Sequence, residues 1–283
     1  MVLESILNPL GKKRSGWRYF LIGIIFSIAA VLFSMWVFYN QTSIIMIALL
    51  VMLSVPLMYA TLVREEEEDI YLPNEKSMLK QHSKTIGFLT LLFLGFVVGF
   101  TLLYLFLPGE TVTNVVFSAQ HDAIYEVNNQ VSGAAYSMGG FLGILDNNLR
   151  VLVFCVIFAF FFGAGAIFIL SWNASVIAAA IGSFIREGMA KAAESLGFVG
   201  LSTYFQVIAL GFMRYMTHGI FEIVAYFIAG LAGGILSINI MKHGIKNKYI
   251  HKIGYDAAIL ILLAVLVLVF AGLVEAFITP LLF

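Results

Sequence analysis

His218 and Glu222 stand four residues apart in "MTHGIFEIVAYFIAGLAGG" (216–234). Four residues is about one turn of an α-helix, so an imidazole and a carboxyl share one face. That face continues through Ala225, Ala229 and Gly233, with Gly230 and Gly234 beside it in a GxxxG spacing. Small residues of this kind let helix backbones approach closely. A second face begins at Asn148, next to Asn147, and runs through Leu152, Cys155, Ala159, Gly163, Ala166 and Leu170 to Asn173. A third places Glu275 near the outer end of the last apolar run, with Ala264, Ala271 and Gly272 inward of it. Arg150 and Arg214 fall at similar depth, where two cations can neutralise two carboxylates; Arg150, however, is about 200° around its helix from Asn148, which suits snorkelling instead. Ionisable groups within a membrane are costly and mark a functional site by default.

This set (Asn147, Asn148, Arg150, Arg214, His218, Glu222 and Glu275, with Asn173 at the inner end) admits two chemistries. One is a clasp of interhelical hydrogen bonds, each contributing roughly 0.6 to 2 kcal/mol. The other is a relay for protons or ions. A metal centre is disfavoured, because an HxxxE pair supplies at most two ligands and HExxH is absent. No Walker A loop, GxSxG elbow or DDxxD run is present either. The chain therefore reads as non-enzymatic, with no cofactor and no metal. Ala159, Gly163, Gly230, Gly233 and Gly234 read as helix-packing positions.

The elements that position these residues follow from composition. The 283 residues are 61% hydrophobic and only 11% charged, with a mean hydropathy of +0.98. Soluble domains are about a quarter charged. The expectation is one all-α domain, a polytopic transmembrane helix bundle over 1–283, in contact with the lipid bilayer. Its parts are three N-terminal spans in 1–107, an outer loop at 108–148 and a C-terminal region at 149–283. A net charge of zero gives no case for nucleic-acid binding. The one cysteine, Cys155, leaves no intrachain disulfide. No cleavable signal peptide is expected, since the first apolar run is too long for one.

A span needs roughly 20 apolar residues. Seven runs qualify: 17–38, 43–63, 86–107, 149–172, 197–216, 218–240 and 256–279. The fifth and sixth are separated only by a polar pivot at 214–219. The short piece 174–185 with its polar continuation to 195 suits a re-entrant or interfacial helix. Lys and Arg collect on cytoplasmic loops. With the N-terminus inside, fourteen of the sixteen basic residues fall inside, Arg186 and Lys191 among them, and the C-terminus lies outside. The acidic run "REEEED" (64–69) reads as a solvated inner linker. The outer loop lacks Lys and Arg, carries His121, Glu110, Asp122, Glu126 and Asp146, and holds the pliable segment "VSGAAYSMGG".

Three segments, "NNLRVLVFCVIFAFFFGAGAIFILSWNAS", "HGIFEIVAYFIAGLAGG" and "VEAFITP", resemble in this order the blocks of the stage II sporulation protein M family of integral membrane proteins. The resemblance points to Asn147, Asn148, Asn173, His218, Gly219, Glu222 and Glu275 as the family's polar positions. Two positions depart from the family pattern: Thr217 replaces a proline before His-Gly, and Ala174 a glycine. The resemblance implies a membrane anchor; in spore formers, such members act with a lytic cell-wall enzyme pair. The function expected is an oligomeric membrane scaffold that holds itself, a membrane partner or a cell-envelope partner. The alternative is an ion or small-solute channel or transporter using the His/Glu/Asn cluster.

Overall fold

Apolar runs of this length leave every backbone N–H and C=O to be satisfied within the segment, and a helix does so. The computed structural model describes residues 16–71, 75–131, 138–196 and 200–282. Its main helices are α1 (Gly16–Val37), α2 (Thr42–Tyr71), α3 (Glu75–Phe106), α4 (Ser118–Val131), α5 (Met138–Phe162), α6 (Ala166–Leu196), α7 (Leu201–His243) and α8 (Ile250–Leu273). No strand occurs among the described residues. Among the described residues, seven helices are long and apolar enough to cross a membrane; α4 is not. The fold is an all-α polytopic bundle. Lys12, Lys13, Arg14, most of "VSGAAYSMGG" and the side chain of Glu126 lie outside the described residues.

The seven spans are divided differently from the sequence expectation. The run 149–172 is not one span: α5 stops at Phe162 and α6 starts at Ala166. The cause is local. Gly163 takes φ +60°, a left-handed conformation that ends helices and favours glycine. The piece 174–195 is accordingly not re-entrant. It is the greater part of α6, 31 residues long. The runs 197–216 and 218–240 fuse into α7, 43 residues long. The pivot at 214–219 does not break it. Thr217 sits mid-helix and returns its hydroxyl to the Met213 carbonyl, a bond that leaves the helix intact.

α7 is the axis of the molecule. Some 78% of its apolar window is buried, against 22% for α5 and 28% for α1, which face outward. α8 and α5 pack along α7, while α1 packs along α3 and α3 on α6. The α1–α3 seam is a close backbone approach. A Cβ on Gly23 would meet the Leu92 carbonyl, and one on Gly95 the Phe20 carbonyl.

A 43-residue helix is about 64 Å long, roughly twice the ~30 Å of hydrocarbon. One end of α7 is fixed by Lys242 against Glu66 on α2. At the other end α7 runs beside α6, with Val207 against Gly188 and Phe184 against Gly211. Arg186 of α6 caps the carbonyls of Tyr104 and Leu107, where α3 ends. The α6–α7 hairpin therefore extends past the end of α3. Arg186 and Lys191 lie at this end, opposite Arg64 and Lys84, which corrects their expected placement.

The loop 108–148 is also largely structured. A π-helical turn at Val112–Val116 leads into α4. Val112, Val116, Phe117 and Gln120 are fully buried. The Gln120 amide donates to the Ser43 carbonyl and to Ser175 Oγ, wedging α4 between α2 and α6.

Candidate functional site

α7 brings together the first polar cluster. Asn148 on α5 donates from Nδ2 to Glu222 Oε1 at 2.6 Å. The Tyr226 hydroxyl, one turn along α7, donates to Asn148 Oδ1 at 3.1 Å. The Glu222 and Glu275 carboxyls lie beside each other. Glu275 sits on a π-helical turn, Val274–Ile278, that follows α8. Turns of this kind are rare and frequent at functional sites. His218 Nδ1 lies 3.2 Å from Thr279 Oγ1, just beyond that turn. One clasp thus joins α5, α7 and the end of α8.

Several expected members are not in it. Arg150 is exposed and pairs with Asp146 on its own helix at 2.6 Å. Its azimuth on α5 points it away from Asn148. Arg214 lies over the Phe184 ring at 5.6 Å, two turns from Glu222. Neither cation neutralises the carboxylates. Asn147 is exposed and reaches Asn148 Oδ1 only at 3.5 Å. Asn173 lies within α6, where its amide donates to the Ile169 carbonyl. The break at Gly163 separates it from the Asn148 face.

The packing positions fare better. Ala159 is fully buried. A Cβ on Gly233 would meet the Val156 carbonyl, one on Gly230 the Ala166 methyl and one on Gly234 the Leu62 side chain. Gly163 is the exception: it has open space and serves as the helix break instead.

A second cluster lies at the opposite end and overturns the linker reading of "REEEED". The run continues α2, and Glu65, Glu66 and Asp69 are 0%, 0% and 1% exposed. Glu65 accepts from His82 Nδ1 at 2.8 Å and from the Thr85 hydroxyl, both on α3. His82 Nε2 faces Asp69 Oδ1 at 3.8 Å, and Lys252 of α8 donates to the Asp69 carbonyl. Glu66 accepts from Asn239 at 3.0 Å and from Lys242 at 3.2 Å, both on α7. Sequence reasoning missed this site, though a signal existed. Met58, Leu62, Glu65 and Asp69 share one helical face, and all are buried.

A third polar group occupies the end that carries α4. The Tyr104 hydroxyl lies 2.9 Å from His121 Nε2 and 2.7 Å from Ser183 Oγ, joining α3, α4 and α6. Burial lowers the His121 pKa, and Asp122 beside it partly offsets that. Among the described residues no cluster of three or more His, Cys, Asp or Glu is arranged to hold a metal ion.

Seven long apolar helices with polar groups bonded across them define a multi-pass membrane protein. The profile described as "Stage II sporulation protein M" matches residues 88–280. The chain belongs to that family. The match begins at α3, upstream of the three segments read from sequence. No significant match to a curated protein or to a solved structure is found.

Proposed function

We propose that the protein is a non-enzymatic membrane scaffold that holds partner proteins, or further copies of itself, at the end of the bundle carrying α4. The observation behind this reading is the α6–α7 hairpin. It extends past the end of α3 and leaves Leu201 78%, Phe205 71% and Met213 57% exposed. Large exposed apolar surfaces mark interaction sites. The non-conducting half of the proposal is supported by the polar clusters, whose groups bond to neighbouring helices. Twelve of the sixteen basic residues fall at the end of Arg64 and Lys252, counting Lys12, Lys13, Arg14 and Lys76 by chain position. That asymmetry supports a cytoplasmic N-terminus and an outer C-terminus.

The test is a photo-crosslinking amino acid at Phe205 in cells. A discrete protein adduct, lost when Leu201→Lys is added, is the expected result. Adducts to lipid alone would contradict the proposal. A second reading, a conducting protein, draws on half-buried Glu222 and Glu275 at one end of the bundle and buried Glu65, His82 and Asp69 at the other. Solute flux in proteoliposomes above that of empty vesicles, lowered by Glu275→Gln, would replace the scaffold reading with this one.

A further inference from the structure

A cavity of about 590 Å³ opens where α4 meets the base of the α6–α7 hairpin. Charged side chains enter it from three helices: Asp122 from α4, Glu187 from α6 and Arg214 from α7. Among the described residues none of the three has an ion-pair partner within 4.0 Å. His121 and Ser183 line it too, and both are tied to the Tyr104 hydroxyl, so that wall is set by hydrogen bonds between helices. The volume suits a small ligand or a headgroup.

The charges restrict what fits. A purely anionic ligand pairs with Arg214 but meets two carboxylates. A purely cationic ligand satisfies the carboxylates and is repelled by Arg214. A ligand bearing both signs pairs all three. Arg favours phosphate through its forked donors, and carboxylates with a serine hydroxyl favour an ammonium that has N–H groups to donate. Depth adds a further constraint. Arg186, next to Glu187, caps the carbonyls at the end of α3, so the cavity lies where that span ends. Tyr125 and Tyr215 also line it, and tyrosine is enriched at headgroup level.

We propose that this cavity binds a zwitterionic phosphate ester carrying a primary ammonium group, with the phosphate on Arg214 and the ammonium on Asp122 and Glu187. Such a ligand exists as a phospholipid headgroup or as a soluble ester. The inference stands apart from the scaffold reading, since it concerns a small ligand and a different set of side chains.

The experiment is native mass spectrometry of the full-length protein in mild detergent, titrated separately with phosphatidylethanolamine, phosphatidylglycerol, phosphatidylcholine and soluble phosphoethanolamine. The expected result is phosphatidylethanolamine adducts exceeding those of the other two lipids by about tenfold, the factor of one charge-assisted contact. Arg214→Gln removes that excess. Asp122→Asn with Glu187→Gln removes it while leaving phosphatidylglycerol binding in place. All three side chains are exposed, so the variants fold, and a monodisperse gel-filtration peak checks that. Binding of soluble phosphoethanolamine as tight as that of the lipid would assign the soluble ester as the source. Equal adducts for the three lipids with no binding of the soluble ester, or an excess untouched by both variants, would overturn the proposal.

Discussion

Asn148 is the hinge of the first clasp at the level of single residues, because its amide donates to Glu222 and accepts from Tyr226. Replacing it with alanine leaves a half-buried carboxyl and a buried hydroxyl without their partner. The expected loss is about 1–3 kcal/mol, as for buried polar groups left unsatisfied. Tyr226→Phe removes one bond and should cost about 0.6–2 kcal/mol. Unfolding in mixed micelles measures both, and equal losses would show that Glu222 does not depend on Asn148. His121 offers a test by pH. Burial holds its folded pKa below the ordinary value of 6.5. The unfolded chain therefore takes up the proton first as pH falls, and stability declines below about pH 6.5. The Tyr104–His121 contribution is fully present above that pH. His121→Gln should flatten the acid limb of a pH–stability curve, and an unchanged slope would count against this sign.

At the scale of elements, two features decide how the helices meet. One is the glycine seam of α1 and α3. A leucine at Gly95 would collide with the Phe20 carbonyl, a backbone atom that cannot turn away. Gly95→Leu should therefore detach α1 while α5, α7 and α8 stay packed. Limited proteolysis reads this as early cleavage around residue 40 with the rest of the chain protected. The other feature is the break at Gly163. A non-glycine residue in the left-handed region costs roughly 1–2 kcal/mol. Gly163→Val should destabilise the bundle by that amount although the site has open space. A neutral result would mean that the turn is not what ends α5. The α5 boundary was visible in sequence only as one glycine among several, in a run apolar enough to be read straight through. The fusion of α7 had the opposite cause. A threonine, a histidine and a glycine resemble a break in one dimension, yet helical hydrogen bonding continues through all three.

For the whole molecule, the seven helices and the distribution of basic residues make orientation measurable. Cys155 is fully buried, so an unmodified chain offers little background to thiol reagents. Lys246→Cys should react with a membrane-impermeant maleimide only after the cytoplasmic side is opened. Lys191→Cys should react from outside intact cells. The reverse pattern would invert the proposed orientation, and it would also move the hairpin and the headgroup cavity to the cytoplasmic side.

Composition, run length and small-residue spacing determined that this chain is a helical membrane bundle, that α7 packs through its glycines, and that Asn148, Glu222 and Glu275 each top a small-residue face. Each of these follows from local periodicity, which a single helix displays by itself. Tertiary structure decided the rest. "REEEED" is charged enough to read as solvated, yet its Glu65, Glu66 and Asp69 are buried, because α3, α7 and α8 each bring a polar partner to it. Arg214 lies at suitable depth in the sequence, and it misses the cluster because depth does not fix azimuth; the two-residue step from Asn148 already turned Arg150 away. A buried charge is tolerated only where a distant residue arrives to pair with it, and no one-dimensional pattern records that arrival.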